Sequence, residues 1–413
     1  MIEGISQYRQ GRKRSRRVRL TLLLIILAVT TALGVLHQFP VGFRPASVDA
    51  LCPFGGLEAL YSLLSGAPLV AKIAASSFAL LIATVVVALL FRRSFCGNIC
   101  PLGTLQELAE MARRKLRIRR LELPAGFDRI ARYLKYLVLV AVVALSAYFG
   151  ELVIRPYDPW VAYQHLASAE LLTALAAGLV VLVVTLVGSF FSDRFFCKYA
   201  CPMGAFLGLL GKVGATRIRR DANLCTSCHA CDRACPMNLT ISTASTVTSA
   251  ECIACNQCVN SCPVPGALSP EVGLPAGRKA RKLRPMTVTL ATAALFAAVV
   301  VGATLLGQFG WTAPTVLEAA AASAFDAAMI KGSDTFADVS LASGLPLQAF
   351  ADRFGLSEEQ LRGAIKEAAH ASNGGFDTEA VRLFVAESGA PAAGGAPAEG
   401  APRVGAGEGA DHS

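Results

Sequence analysis

One cysteine pattern is stated twice in this chain. Cys225, Cys228, Cys231 and Cys235 are followed by Pro236, and Cys252, Cys255, Cys258 and Cys262 by Pro263, so both runs read C-x2-C-x2-C-x3-C-P. Three thiolates on one tight loop take three corners of a [4Fe-4S] cube, and the fourth, next to Pro, is directed to the neighbouring cube. The spacing therefore predicts a crossed assignment. Cys225, Cys228, Cys231 and Cys262 belong to one cluster, and Cys252, Cys255, Cys258 and Cys235 to the other. Zinc is a poorer reading, because four cysteines within eleven residues, repeated after a gap, exceed what a tetrahedral ion needs. Few large apolar residues lie between these cysteines, so bound metal has to supply most of the segment's stability.

The rest of the chain is too apolar for water. Of its 413 residues 54% are hydrophobic and only 16% charged, which places it in a membrane. Uncharged stretches run from Leu20 to Leu36, Ile73 to Phe91, Tyr136 to Gly150, Leu171 to Ser192 and Pro285 to Leu317, against a requirement of about 20 residues per crossing. The third is short. It crosses if Arg132 and Lys135 reach down to the interface and Leu152, Val153 and Ile154 extend it.

Lys and Arg orient these spans. Arg9, Arg12, Lys13, Arg14, Arg16, Arg17 and Arg19 precede the first; Arg92, Arg93, Arg113, Arg114, Lys115, Arg117, Arg119 and Arg120 follow the second; Arg278, Lys279, Arg281, Lys282 and Arg284 precede the fifth. The loops after the first and third spans carry one basic residue each, Arg44 and Arg155. The expectation is a bacterial inner-membrane protein with its N-terminus and cysteine module cytoplasmic and its C-terminus periplasmic. The basic residues act as membrane-flanking anchors against lipid, and the first span stays as an uncleaved anchor. From Thr312 onward six basic side chains face fourteen acidic ones. Nucleic acid is therefore not an expected partner, even though Ser340–Leu347, with Gly344 and Pro346, has the look of a helix-turn-helix.

A second repeat lies inside the membrane block. Arg93-Ser94-Phe95-Cys96-Gly97-Asn98-Ile99-Cys100-Pro101-Leu102-Gly103 and Arg194-Phe195-Phe196-Cys197-Lys198-Tyr199-Ala200-Cys201-Pro202-Met203-Gly204 both read R-x-F-C-x3-C-P-[LM]-G. Cysteines at i and i+4 share a helix face, so Cys96, Cys100, Cys197 and Cys201 together suit an additional metal centre or two redox dithiols. Cys52, in Cys52-Pro53-Phe54-Gly55, repeats half of that motif and is a candidate for a redox or ligand role. Asp158 and His165, with Arg155, Tyr157 and Trp160, form a candidate quinol and proton site near the outer headgroups. His37 and His165 leave a haem open as a further cofactor, and interfacial anchoring is the plainer reading of the group.

The predicted organisation is an all-α membrane protein of about five transmembrane helices carrying a two-cluster ferredoxin-like insertion. It divides into a basic N-terminus (1–19), a four-helix membrane block (20–212), the ferredoxin module (213–270), a basic linker (271–284), a fifth span (285–311), a small helical domain (312–387) and a disordered Gly/Ala/Pro-rich tail (388–413). In the helical domain Phe336, Val339, Leu341 and Leu345, then Leu347, Phe350, Phe354 and Leu356, recur at helical spacing.

Arg93 to Gln106, Arg194 to Gly211 and the eight-cysteine module together resemble the membrane-bound 4Fe-4S polyferredoxins of the NapH and NosR type, over roughly Leu20 to Leu306. The resemblance implies an electron-transfer subunit of an oxidoreductase of the quinol dehydrogenase type. It would exchange electrons between quinone or a cytoplasmic donor and a periplasmic redox protein or a flavin or cytochrome subunit. No flavin-binding domain of the NosR kind precedes the first span, so flavin, like haem, is left open. Similar C-x3-C-P pairs occur in CcoG-type copper reductases, which are expected to end in a β-rich outer domain where this chain reads helical. A cupric reductase or metal-handling assembly factor, and a redox-sensing regulator, are the alternative functions.

Overall fold

The computed structural model describes residues 2–38, 45, 53–57, 74–121, 123–149, 153–168, 170–173, 175–273, 281–311, 316–317, 320, 325–330, 332, 334–372 and 375–388. Cys52 and nearly all of the 388–413 tail lie outside them. The chain divides into two compact units, Met1–Ala313 and Pro314–Ser413.

The first unit begins with one long helix, Ile2–Gln38, about 55 Å at 1.5 Å per residue. No proline interrupts it, and its sequence passes from basic to apolar near Leu20. Ala74–Phe91 packs on Pro285–Leu305, Pro101–Lys115 on Ala176–Phe191, and Pro202–Leu210 on Leu134–Phe149. Pro101–Lys115 thus packs on a helix of the second half of the block, and Pro202–Leu210 on Ala74–Phe91 of the first half as well as on Leu134–Phe149 of its own. Ile2–Gln38 and Pro285–Leu305 are long and apolar enough to cross a membrane. Ala74–Phe91, Leu134–Phe149 and Ala176–Phe191 have 18, 16 and 16 residues, shorter than the crossing length of about 20.

The cysteine module folds back on itself through a small antiparallel sheet in the order β2-β1-β3-β4, with β1 Thr216–Arg220, β2 Thr246–Val247, β3 Leu268–Val272 and β4 Arg281–Lys282. Central β1 pairs Ile218 with Val247 on one side and Thr216 with Val272 on the other. This joins the ends of the module and places both cysteine runs between them. The 271–284 segment, expected as a plain linker, is in part this sheet: Glu271 pairs with Lys282 and Val272 with Arg281. Backbone groups leaving β3 find a ready ladder there, a long-range pairing that composition does not reveal.

The second unit is helical, with Phe336–Ser343, Leu347–Phe354, Glu358–Arg362, Ile365–Ala371 and Thr378–Glu387. Gly344 and Gly355 end the first two helices with φ of 73° and 65°, the left-handed region that glycine enters at low cost. Phe336, Phe350, Phe354, Phe376 and Phe384 pack against one another with centroids 4.8–6.5 Å apart, whereas Leu341 points outward at 70% exposure. Because Phe350 is fully buried at the centre of this cluster, Phe350→Ala is expected to cost about 3–5 kcal/mol. Limited proteolysis of the full chain should then cut the second unit at lower temperature while the iron content stays unchanged.

Candidate metal centre

The two cysteine loops share one backbone trace. Ser227 and His229 in the first, and Ala254 and Asn256 in the second, have φ of 53°, 55°, 46° and 55°. Paired left-handed residues curl each loop tightly, and a short helix follows each, Ala230–Arg233 and Gln257–Ser261. Cys225, Cys228, Cys231 and Cys262 line one recess. Cys235, Cys252, Cys255 and Cys258 line the other. Each loop contributes three sulfurs to its own recess and a fourth to its neighbour's. Among the described residues no three His, Cys, Asp or Glu side chains close tightly enough for a single ion. Tetrahedral zinc would hold its sulfurs only about 3.8 Å apart, from a Zn–S bond of about 2.3 Å. Four soft donors per recess, three from one loop and the fourth from the other, fit an iron–sulfur cube instead.

The recesses differ in exposure. In the first Cys228 is exposed, Cys225 half-buried and Cys231 and Cys262 buried, whereas in the second Cys252 is half-buried and Cys235, Cys255 and Cys258 are buried. Burial pushes the Cys231 thiol up to about 11 and the Cys235 thiol up to about 12, so metal binding at neutral pH has to expel protons.

Buried cations surround the inner recess. Arg19 grips Glu107 with two bonds of 2.7 Å and donates from Nε to the Gly97 carbonyl at 2.9 Å. Arg194 reaches the same Glu107 at 2.8 Å and the Cys96 carbonyl at 3.0 Å, and Gln257 in the second cysteine loop completes the set at 3.1 Å. Glu251, next to Cys252, receives Arg93 at 3.2 Å and also Lys135. Arg92 donates to the carbonyls of Gly211, Val247, Thr248 and Ser249 at 2.6–3.0 Å. Arg92, Arg93 and Arg113 are therefore not lipid anchors; they are buried, with Arg113 on Asp193 at 2.8 Å. Arg132 and Lys135 do not reach for an interface either. They hold the Met237 carbonyl and Glu251, partners distant in sequence that outcompete water.

The C-x3-C-P copies depart from the expected single helix face. Ser94–Asn98 and Phe195–Tyr199 end before the second cysteine, and Cys100 and Cys201 become N-caps of Pro101–Lys115 and Pro202–Leu210. Proline excludes the helical conformation from the residue before it, and ψ is 118° at Cys100 and 111° at Cys201. The four thiols nevertheless share an electrostatic neighbourhood. Burial first, then the other thiols, pushes Cys100 and Cys201 up. Gln106 donates to Cys197 Sγ and the Gly204 amide to Cys201 Sγ, both at 3.2 Å. The guanidinium of each copy lies against the glycine of the other, Arg194 on Gly103 and Arg93 on Gly204. Arg93 Nε and Nη2 and Arg194 Nε are buried without a hydrogen-bond partner among the described residues. Gly97, inside the first pair, meets the inner cysteine loop, where a Cβ would overlap the Ile253 carbonyl and touch Cys255 Cβ at 3.2 Å.

Asp158 and His165 sit at opposite ends of the short helix Pro159–Gln164. Asp158 Oδ1 accepts from the Trp160 amide at 2.8 Å, and His165 Nδ1 lies 2.9 Å from the Val161 carbonyl. His37 Nδ1 lies 2.9 Å from the Pro45 carbonyl. Asp158 thus serves as the N-cap of Pro159–Gln164 and His165 as its C-cap. Sequence reading missed Glu107, Glu251 and Gln106, whose only local signal is a polar residue next to a cysteine run or on an amphipathic helix.

Residues 73–119 and 174–221, which hold the two C-x3-C-P copies, match the 4Fe-4S binding domain family, and residues 217–263 match the 4Fe-4S dicluster domain family. The chain is 31% identical to the putative electron transport protein YccM of Escherichia coli, over 57% of this chain and 67% of that one. It is 32% identical to an uncharacterized protein of Methanocaldococcus jannaschii, over 51% of this chain and 83% of that one. Identity to the ferredoxin-type protein NapH of Escherichia coli is 30%, over 44% and 59%. No solved structure matches the chain.

Although burial pushes the Glu107 carboxyl up, the charge and bonds of Arg19, then Arg194, hold it down to about 2, below its ordinary 4.5. A depressed carboxyl stabilises the fold fully above its unfolded pKa and ceases to do so as pH falls through the folded one. Glu107→Gln is thus expected to cost about 3–5 kcal/mol at neutral pH and little near pH 2. Denaturant unfolding of both proteins across that range checks the convergence.

Proposed function

The chain belongs to the membrane-associated 4Fe-4S polyferredoxin family, and from that premise we propose that it is an iron–sulfur electron-transfer protein whose three thiol sites form a path from water to the membrane edge. The observation that carries this reading is the close approach of Gly97, between Cys96 and Cys100, to the inner cysteine loop, which leaves no room for a Cβ beside the Ile253 carbonyl and Cys255. Cys225, Cys228, Cys231 and Cys262 would hold one [4Fe-4S] cluster, and Cys235, Cys252, Cys255 and Cys258 the other. When bound, the clusters supply one-electron relay at potentials tuned by hydrogen bonds to sulfur, net charge and exposure. The residues of the chain do the rest. The exposed quartet admits a partner, the inner quartet is shielded from water, and the Arg19, Arg194, Arg93 and Lys135 cations offset thiolate charge that burial would otherwise make costly.

A further centre at Cys96, Cys100, Cys197 and Cys201 is part of the proposal. It is supported by the donors on two of these sulfurs and by the buried guanidinium nitrogens of Arg93 and Arg194 that have no hydrogen-bond partner among the described residues. The proposed topology has five spans, with the N-terminus and cysteine module on the cytoplasmic side and the second unit in the periplasm. Electrons pass to or from quinone or a periplasmic redox partner. Anaerobic iron and sulfide analysis tests the path. Cys225→Ala and Cys252→Ala should each lose one cluster's paramagnetic signal on reduction, and their retention would sink the ligand assignment. Iron near eight per chain would mean two cubes only. An excess that disappears in Cys96→Ala with Cys197→Ala would place the third centre. Gly97→Ala should leave iron bound but slow electron passage beyond the inner quartet, because Ile253 and Cys255 must retreat.

A further inference from the structure

We propose that the exposed cysteine quartet is the docking point for a small acidic one-electron carrier protein, seated on a basic stripe that the first helix lays beside it. This rests on the cluster ligation proposed above. Arg9, Arg12, Lys13 and Arg16 fall at i, i+3, i+4 and i+7 of Ile2–Gln38 and so share one face. Arg12 fixes that face to the recess by donating to the Cys262 carbonyl. Tyr8 Oη donates to the Cys262 and Val264 carbonyls at 3.3 and 3.4 Å, and both residues line the exposed recess. Arg9, Lys13 and Arg16 are exposed, as is Arg233 on the cysteine loop. The nearby acids are engaged locally. Asp232 accepts from Ser242 and from the amides of Ile241 and Ser242, and Asp221 from the Asn223 amide. Both acids stay anionic, but Arg9, Arg12, Lys13, Arg16, Arg220 and Arg233 outnumber them, so the rim is net positive where Cys228 opens to water.

Lipid is the competing occupant of such a stripe, and helix length argues against it. Apolar sequence starts at Leu20. At about 1.5 Å per residue Arg9 stands about 16 Å, Arg12 about 12 Å and Lys13 about 10 Å before it, while a headgroup layer is only about 5–7 Å deep. Arg16 alone lies at headgroup level. The other three stand in water beside the sulfur recess, where opposite charge steers a soluble partner and sets its orientation.

Binding of oxidised flavodoxin, an acidic one-electron carrier, to the full chain in uncharged phosphatidylcholine nanodiscs tests the docking without any electron transfer. Wild-type affinity should fall steeply with salt, and Arg9→Glu with Lys13→Glu should weaken it by about tenfold or more. Iron content should be unchanged, since both side chains are exposed and neither is a cluster ligand. Equal affinity of the two proteins, or binding insensitive to salt, would overturn the docking surface while leaving the ligation intact. Loss of adsorption to phosphatidylserine vesicles with flavodoxin binding preserved would assign the stripe to lipid instead. Iron-free wild-type protein would overturn the ligation itself, a failure read from the metal analysis and not from the affinities.

Discussion

Taking an ion out of water costs several kcal/mol unless a partner of opposite charge meets it with good geometry. The first unit depends on meeting that condition repeatedly. Glu107 is shared by Arg19 and Arg194, and Glu251 by Arg93 and Lys135. Each carboxylate joins helices from different parts of the membrane block, and through Gln257 and through Glu251 itself it also joins that block to the cysteine loops. The cations outnumber the carboxylates in this network, which suits an interior that also has to hold thiolate charge. Removing any one carboxylate leaves two buried cations uncompensated, so the network is a condition of folding as well as an electrostatic setting for metal.

The interlocked repeat gives that network its symmetry. Arg194 lies against Gly103 and Arg93 against Gly204, so each copy of R-x-F-C-x3-C-P-[LM]-G uses its own arginine to complete the other copy. A larger residue at either glycine would exclude the guanidinium. The glycines are there for space, since neither has the positive φ that would require glycine on backbone grounds. The prolines matter for a different reason. Pro101 and Pro202 stop one helix and start the next with two residues between them, and the second of these, Cys100 or Cys201, takes an extended ψ.

How much of this was legible in the sequence depended on the range of the interaction. The eight cysteines of the two long runs declared themselves because their spacing is a local signal, and the crossed grouping followed from the position of the fourth thiol. The helix face expected for Cys96 with Cys100 failed on an equally local rule, since a residue before proline does not take helical ψ. Arg92, Arg93, Arg132 and Lys135 were read as lipid-facing anchors because charge counting sees only neighbours in sequence. Their partners lie more than one hundred residues away, at Val247, Ala250, Met237 and Glu251. Asp158 and His165 lie at the two ends of one short helix, a placement that composition does not reveal.

The exchange of a single sulfur between the cysteine loops has a consequence for assembly. Neither loop encloses a complete recess by itself, so the duplicated halves have become inseparable. A chain cut between Cys235 and Cys252 would leave each fragment with three thiols of one recess and only the closing thiol of the other. Synthesis must therefore pass Cys262 before even the recess built mainly from the earlier loop can close.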